Sequence, residues 1–240
     1  MATLPIVKVQ RLYRQISDLL IQKFKENEFP PGSALPPERE LAQQLGVGRS
    51  SVREALIALE IAGWVDIKTG HGVFVCHKTP ETGSAESLGS AGVEELLQAR
   101  ELIEGETARM AAANANPDQL SRLVRLMDAL DDSTAQNNGS FMELDEQFHH
   151  LIAEMADNFV FIEFIDTLWN KRYDELFTQF NSHYGSQDLS RAMNLDHRAI
   201  CNAILARDPQ AAKAAMQTHI RHVHASFFAD HPAKSADQAQ

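Results

Sequence analysis

Apolar residues recur at helical spacing through residues 8–27, where Val9, Leu12, Ile16, Leu19, Leu20 and Phe24 fall on one side of a 3.6-residue repeat. The pattern stops at Phe29-Pro30-Pro31-Gly32, which cannot continue a helix. A short helix is predicted over 38–45, with Glu38 and Glu40 in a first turn where negative charge suits the helix dipole. Gly46-Val47-Gly48 forms a turn, a second helix opens at Arg49, and Gly63 ends it as a C-cap glycine. The period then shortens. Trp64–Lys68 and Val73–Cys76 are strand-like on either side of Thr69-Gly70-His71-Gly72, a β-hairpin. Two short helices joined by a tight glycine turn are the helix-turn-helix arrangement, and a hairpin directly after the second helix is a wing.

Beyond residue 92 the helical period never gives way to alternation. Helices are predicted over 93–115 (core positions Val93, Leu96, Leu97, Leu102, Ile103 and Met110) and over 118–131 (Leu120, Leu123, Val124, Met127 and Leu130). Four more follow over 141–156, 159–180, 188–206 and 209–229, the first capped by Ser140 and the last started by Asp208-Pro209. The fold class is therefore mainly α: a winged helix-turn-helix at 1–78, then an all-helical bundle of about six helices at 93–230. Residues 79–92, rich in Gly, Ser, Ala and Thr without apolar periodicity, read as a linker, and 231–240 as a flexible tail.

Charge divides the chain at the same place. Residues 1–78 carry ten Lys and Arg against eight Asp and Glu, whereas 79–240 carry twelve against twenty-five, so nearly all of the net −11 sits in the second part. A mildly basic segment beside an acidic one implies different partners for each. Cys76 and Cys201 make neither a disulfide framework nor a zinc ribbon. The first 15 residues do not resemble a signal peptide, and no apolar run reaches the roughly 18 residues of a membrane span. The expectation is a cytoplasmic protein with no membrane association.

The first part carries DNA-binding chemistry. Arg39, Arg49, Arg53 and Lys68 all fall on elements that a winged helix presents to DNA, and Ser50 and Ser51 open the second helix. Arginine forks match phosphate oxygens and guanine edges, and a helix N-terminus receives phosphate. The run Pro30-Pro31-Gly32-Ser33-Ala34-Leu35-Pro36-Pro37-Glu38-Arg39-Glu40-Leu41-Ala42, then Gly46-Val47-Gly48-Arg49-Ser50-Ser51-Val52-Arg53-Glu54-Ala55-Leu56, resembles the GntR family of bacterial transcription regulators. That resemblance covers 8–76. It implies DNA contacts by Arg39, by Arg49 and Arg53 on the recognition helix, and by Thr69 and Gly70 in the wing.

The second part carries metal-ligating side chains. Asp145 and His149 stand at i and i+4 beside Leu144, Phe148 and Ile152, His197 lies one turn from Ile200, and His219 sits on the last helix. An Asp with three His suits a divalent transition metal, zinc first, with nickel, manganese or iron as alternatives. Any one of these histidines alone reads more readily as a satisfied core or surface residue than as a ligand. The half as a whole is similar to the FCD ligand-binding domain of the FadR subfamily, over about 91–230. The resemblance implies that Asp145, His149, His197 and His219 converge as metal ligands and that Arg100 enters the effector pocket, where a guanidinium binds a carboxylate. On spacing alone Arg100 could instead pair with Glu104 at i+4 on the surface. His150, His222 and His224 are expected to point away, and His183 to lie in a loop-like segment.

Similarity of residues 94–104 and 169–173 to regulators of hexuronate and related sugar-acid catabolism ranks the effectors. The expected protein is a homodimeric operator-binding repressor released by a small carboxylate, most readily a sugar acid, with another organic acid such as lactate as the alternative. A metal-dependent enzyme acting on a sugar acid is the competing class. No His-Glu-x-x-His helix or other recognisable general base supports it.

Overall fold

The computed structural model describes residues 11–77, 92–136, 141–170, 175–184 and 187–228. The chain divides into two compact units, with the boundary between Gly92 and Val93. Apart from Gly92, the expected linker lies outside the described residues, as do the tail and Ser140.

The first unit holds α1 (Leu12–Lys25), α2 (Glu38–Leu45), α3 (Arg49–Ile61), β1 (Val65–Lys68) and β2 (Gly72–Val75). The buried side of α1 is Tyr13, Ile16, Ser17, Leu20, Ile21 and Phe24. Leu12 and Leu19, expected on that side, are exposed, because Tyr13, Ser17 and Ile21 turn the stripe by one residue. Ser17 replaces bulk with a hydrogen bond: its Oγ donates to the Ala55 carbonyl at 3.2 Å, which brings α1 close to α3. Gly46 takes φ +66° at the end of α2, the left-handed cap that turns the chain into α3. Val52 and Ala55 through Leu59 are fully buried, so α3 is the core of this unit. β1 and β2 pair antiparallel, Val65 opposite Val75 and Lys68 opposite Gly72, and Ala34 bridges to Phe74 on the outer edge of β2.

Among the described residues the second unit contains α4 (Val93–Asn114), α5 (Pro117–Gln136), α6 (Phe141–Met155), α7 (Phe159–Asn170), α8 (Glu175–Tyr184), α9 (Gln187–Leu205) and α10 (Pro209–Phe228). That is seven helices where about six are expected, since the stretch 159–180 is two helices with 171–174 between them outside the described residues. α5 runs five residues past its expected end. Thr134 Oγ1 donates back to the carbonyls of Leu130 and Asp131, which accommodates a polar last turn that has no apolar period. Asn116 and Gln119 cap the start of α5 reciprocally, and Asp208 caps α10 through the amides of Gln210 and Ala211. α10 packs along α4 and α9, and α4 also meets α6 and α7. Leu102 and Val124, expected in the core, are 70% and 40% exposed, because the buried stripes of their helices pass on the opposite side.

Candidate functional site

Asp145 and His149 on α6, His197 on α9 and His219 on α10 are buried together, and each offers a ligand atom within 4.8 Å of the others. Each rides the apolar stripe of its helix. Phe148 and Ile152 flank the α6 pair, Ile200 and Ile204 accompany His197, and Met216, Ile220 and Val223 accompany His219. Asp145 Oδ1 lies 3.1 Å from His197 Nε2 and 3.5 Å from His149 Nε2. The rings of His197 and His219 are 4.5 Å apart, and Phe148 packs on His197 at 4.6 Å.

Both ring nitrogens of all three histidines are buried without a hydrogen bond of good geometry. Such groups are costly unless something accepts each ring's N–H and takes the lone pair of its other nitrogen. Burial pushes His219 down to about 3, reinforced by His197, and lowers His197 as well, so both rings stay neutral as metal ligation requires. His149 goes the other way. Burial opposes its protonation, but Glu104 and Asp145 outweigh that and raise it. The donor set, one carboxylate and three imidazoles in a buried cluster, fits a divalent transition metal.

Three neighbours complete the surroundings. Glu104 on α4 places Oε2 against His149 Nδ1 and takes Arg100 Nε on Oε1 at 2.5 Å. Trp169 on α7 lies beneath both, its ring 4.6 Å from the Arg100 guanidinium and 4.8 Å from the His149 ring. Asp196 on α9 sits 3.6 Å from His219 Nδ1 and 2.9 Å from His222 Nδ1. Arg100 therefore pairs with Glu104, as its spacing allows, but at 2% and 1% exposure the pair is buried rather than on the surface. His150 faces Asp166 at 2.8 Å and His224 packs at a tilt against Phe228, both outside the cluster. His183, expected in a loop, lies in the last turn of α8.

In the first unit Arg39, Lys68, Thr69 and Gly70 are exposed, and Arg49, Ser50 and Ser51 are half-buried in the first turn of α3. Gly70 at the wing tip has φ +76°, which favours glycine there. Lys68 lies over the Phe74 ring at 4.9 Å. Arg53 differs from the rest: it is 5% exposed and both Nε and an Nη donate to Glu38 Oε2, at 2.9 and 2.7 Å.

Residues 12–75 match the family model for bacterial regulatory proteins, gntR family, and residues 95–222, more than half of the chain, match the FCD domain. The chain belongs to the GntR family, with an FCD domain in its second half. The Uxu operon regulator of Haemophilus influenzae is 33% identical over 92% of this chain and 83% of its own length. The transcriptional repressor NanR of Klebsiella aerogenes is 32% identical over 92% of this chain and 86% of its own. The McbR/YncC structure of Escherichia coli is 18% identical over 92% and 98% of the two chains, with a TM-score of 0.52, which is a likeness of fold. This GntR protein is accordingly a DNA-binding transcription regulator and not an enzyme.

For the GntR regulator the fold brings Asp145, His149, His197 and His219 into one cluster and leaves Arg39, Arg49, Ser50, Ser51, Lys68, Thr69 and Gly70 on the helix-turn-helix and wing. Of the neighbours, Glu104 is signalled in the sequence by the i+4 step from Arg100, whereas nothing local points to Trp169 or Asp196. No described helix is long and apolar enough to cross a membrane.

Proposed function

We propose that this regulator is a homodimeric repressor of a sugar-acid catabolic operon, released when a small carboxylate of hexuronate or aldonate type binds beside a divalent metal. The observation that carries the reading is the buried set Asp145, His149, His197 and His219, each offering a ligand atom within 4.8 Å of the others. When bound, zinc or a similar ion would supply open coordination positions able to accept a carboxylate oxygen. Charge argues for the ligand class. Among the described residues, the buried charged side chains of the second unit, apart from the histidines, are Arg100, Glu104 and Asp145, a net of one negative charge. A divalent ion leaves one positive charge in a low-dielectric site, and a single carboxylate neutralises it.

On the DNA side, Arg39, Arg49, Ser50, Ser51, Lys68, Thr69 and Gly70 would meet the operator, with Arg53 acting from its pair with Glu38. A pair of protomers would read two half-sites of a palindromic operator in the cytoplasm. Leu102 on α4 and Phe159, Val160 and Phe164 on α7 are exposed apolar groups of the kind a protomer contact covers. Arg100 supplies positive charge beside the cluster, and its contact with an effector would require Glu104 to yield it.

Calorimetry on metal-loaded and metal-free protein tests the effector reading, with glucuronate, galacturonate, gluconate, lactate and a dicarboxylate as ligands. The expected result is binding of a sugar monocarboxylate to the loaded form, weakened at least tenfold (about 1.4 kcal/mol) without metal. Equal binding to both forms, or a preference for the dicarboxylate, contradicts the reading.

A further inference from the structure

Arg100 and Glu104 form a buried ion pair one turn apart on α4. Hydrophobic residues of similar volume would often hold a fold as well or better, so a buried pair calls for a second reason. Glu104 supplies one, because it uses both of its oxygens. Oε1 takes Arg100, while Oε2 lies against Nδ1 of His149, whose other nitrogen, Nε2, is on the Asp145 side of the ring. Glu104 is not itself among the converging donor atoms, although it is a buried carboxylate on an adjacent helix. Arg100 is also committed: Nε and one Nη lie on Glu104, at 2.5 and 3.5 Å, and its face rests on Trp169.

We propose that Glu104 is the positioning residue of the metal centre, accepting the Nδ1–H of His149 and so presenting Nε2 to the ion, and that Arg100 acts through Glu104. The inference rests on reading Asp145, His149, His197 and His219 as a metal centre. A neutral imidazole carries one N–H, and a carboxylate at Nδ1 selects the tautomer whose lone pair is on Nε2 while it strengthens that nitrogen as a donor. Arg100 holds the carboxylate in place, with Nε on Oε1 at 2.5 Å and a second guanidinium nitrogen 3.5 Å from Oε2. Trp169 fixes the guanidinium from below, so the relay runs from α7 through α4 to α6. The role assigned to Arg100 thereby shifts from gripping an effector to holding the residue that orients a ligand.

The test compares wild type, Glu104→Gln, Glu104→Met and the charge-free double variant Arg100→Met/Glu104→Met, with Glu106→Gln as a control for losing an α4 carboxylate. Each is titrated with Co²⁺ and with Zn²⁺ against a chelator, and its cobalt d–d spectrum is recorded. Glu104→Met and the double variant should bind roughly 10–100-fold more weakly, the range expected for an outer partner of a metal-bound histidine, with an altered spectrum. Glu104→Gln, whose amide oxygen still accepts the Nδ1–H, should recover most of the affinity and the wild-type spectrum, and Glu106→Gln should match wild type. Glu104→Met strands the Arg100 charge, so the double variant guards against simple unfolding. Nitrogen-detected NMR of zinc-loaded wild type needs no variant, and should show His149 protonated at Nδ1 and ligated at Nε2. A folded double variant with wild-type affinity and spectrum, or His149 ligated through Nδ1, overturns the inference alone. Wild type that takes up no metal overturns the metal centre and the inference together.

Discussion

Truncating Arg49 and truncating Arg53 are different experiments, although both arginines stand on α3. Arg49 is half-buried in the helix's first turn, whereas Arg53 is buried with its guanidinium on Glu38. Arg49→Ala should weaken specific operator binding by about 1–3 kcal/mol with little change in the melting temperature of the first unit. Arg53→Ala should lower both, because it leaves the Glu38 carboxylate without the fork that holds α2 to α3. Thermal melts beside operator titrations separate the two, and an unshifted melt for Arg53→Ala would mean the pair holds nothing. In the second unit, His197→Ala or His219→Ala should reduce metal content and thermal stability together, while His150→Ala, which faces Asp166, should leave metal content unchanged. Acid gives a signed test of the metal-free protein. The unfolded chain protonates its histidines near 6.5, whereas folded His219 resists until about 3 and His197 is lowered too, so stability should fall as pH drops below about 6.5. His149, raised, contributes in the opposite sense, but its stabilisation is complete below 6.5 and is lost only as pH rises through its folded value, so it adds no slope in the acid range. A melting temperature that stays flat from pH 7 to pH 5 contradicts this assignment.

Helix packing decides how the donors meet, and here the chain's periodicity is only partly informative. The stripes of Phe148 and Ile152, and of Met216, Ile220 and Val223, are visible as spacing and place Asp145, His149 and His219 facing inward. That α10 lies along α4 depends on something no period reveals. A Cβ at Gly105 would come within 2.8 Å of Gln217 Cγ, two residues before His219, so the two helices approach closely there. Gly105→Leu should force them apart, cost about 1–3 kcal/mol of stability and weaken metal binding. Unchanged metal affinity in a destabilised variant would show that His219 tolerates the displacement. The same limit explains Arg100. Its i+4 partner is legible in the sequence, but the burial of the pair comes from Trp169, nearly seventy residues away on another helix. Leu12, Leu19, Leu102 and Val124 are apolar at near-helical spacing yet exposed, because a stripe's edge is set by what packs against it. The winged helix was more legible, since its glycines, prolines and arginines act within a few residues of one another.

Across the whole molecule the charge asymmetry follows the division of labour, with a slightly basic DNA-binding unit followed by a strongly acidic FCD domain. A repressor of this kind needs its effector to prefer the released state by only about 1–3 kcal/mol, a shift of 5- to 150-fold in operator affinity. In the proposed function a sugar monocarboxylate acts on DNA binding through the metal-loaded cluster of Asp145, His149, His197 and His219. The most direct measurement is operator affinity by fluorescence anisotropy, at one salt concentration, for wild type and His197→Ala/His219→Ala, each with and without zinc and a hexuronate. The hexuronate should weaken operator binding at least fivefold for zinc-loaded wild type and leave the double variant unchanged. An equal response in the two proteins would contradict the proposed function.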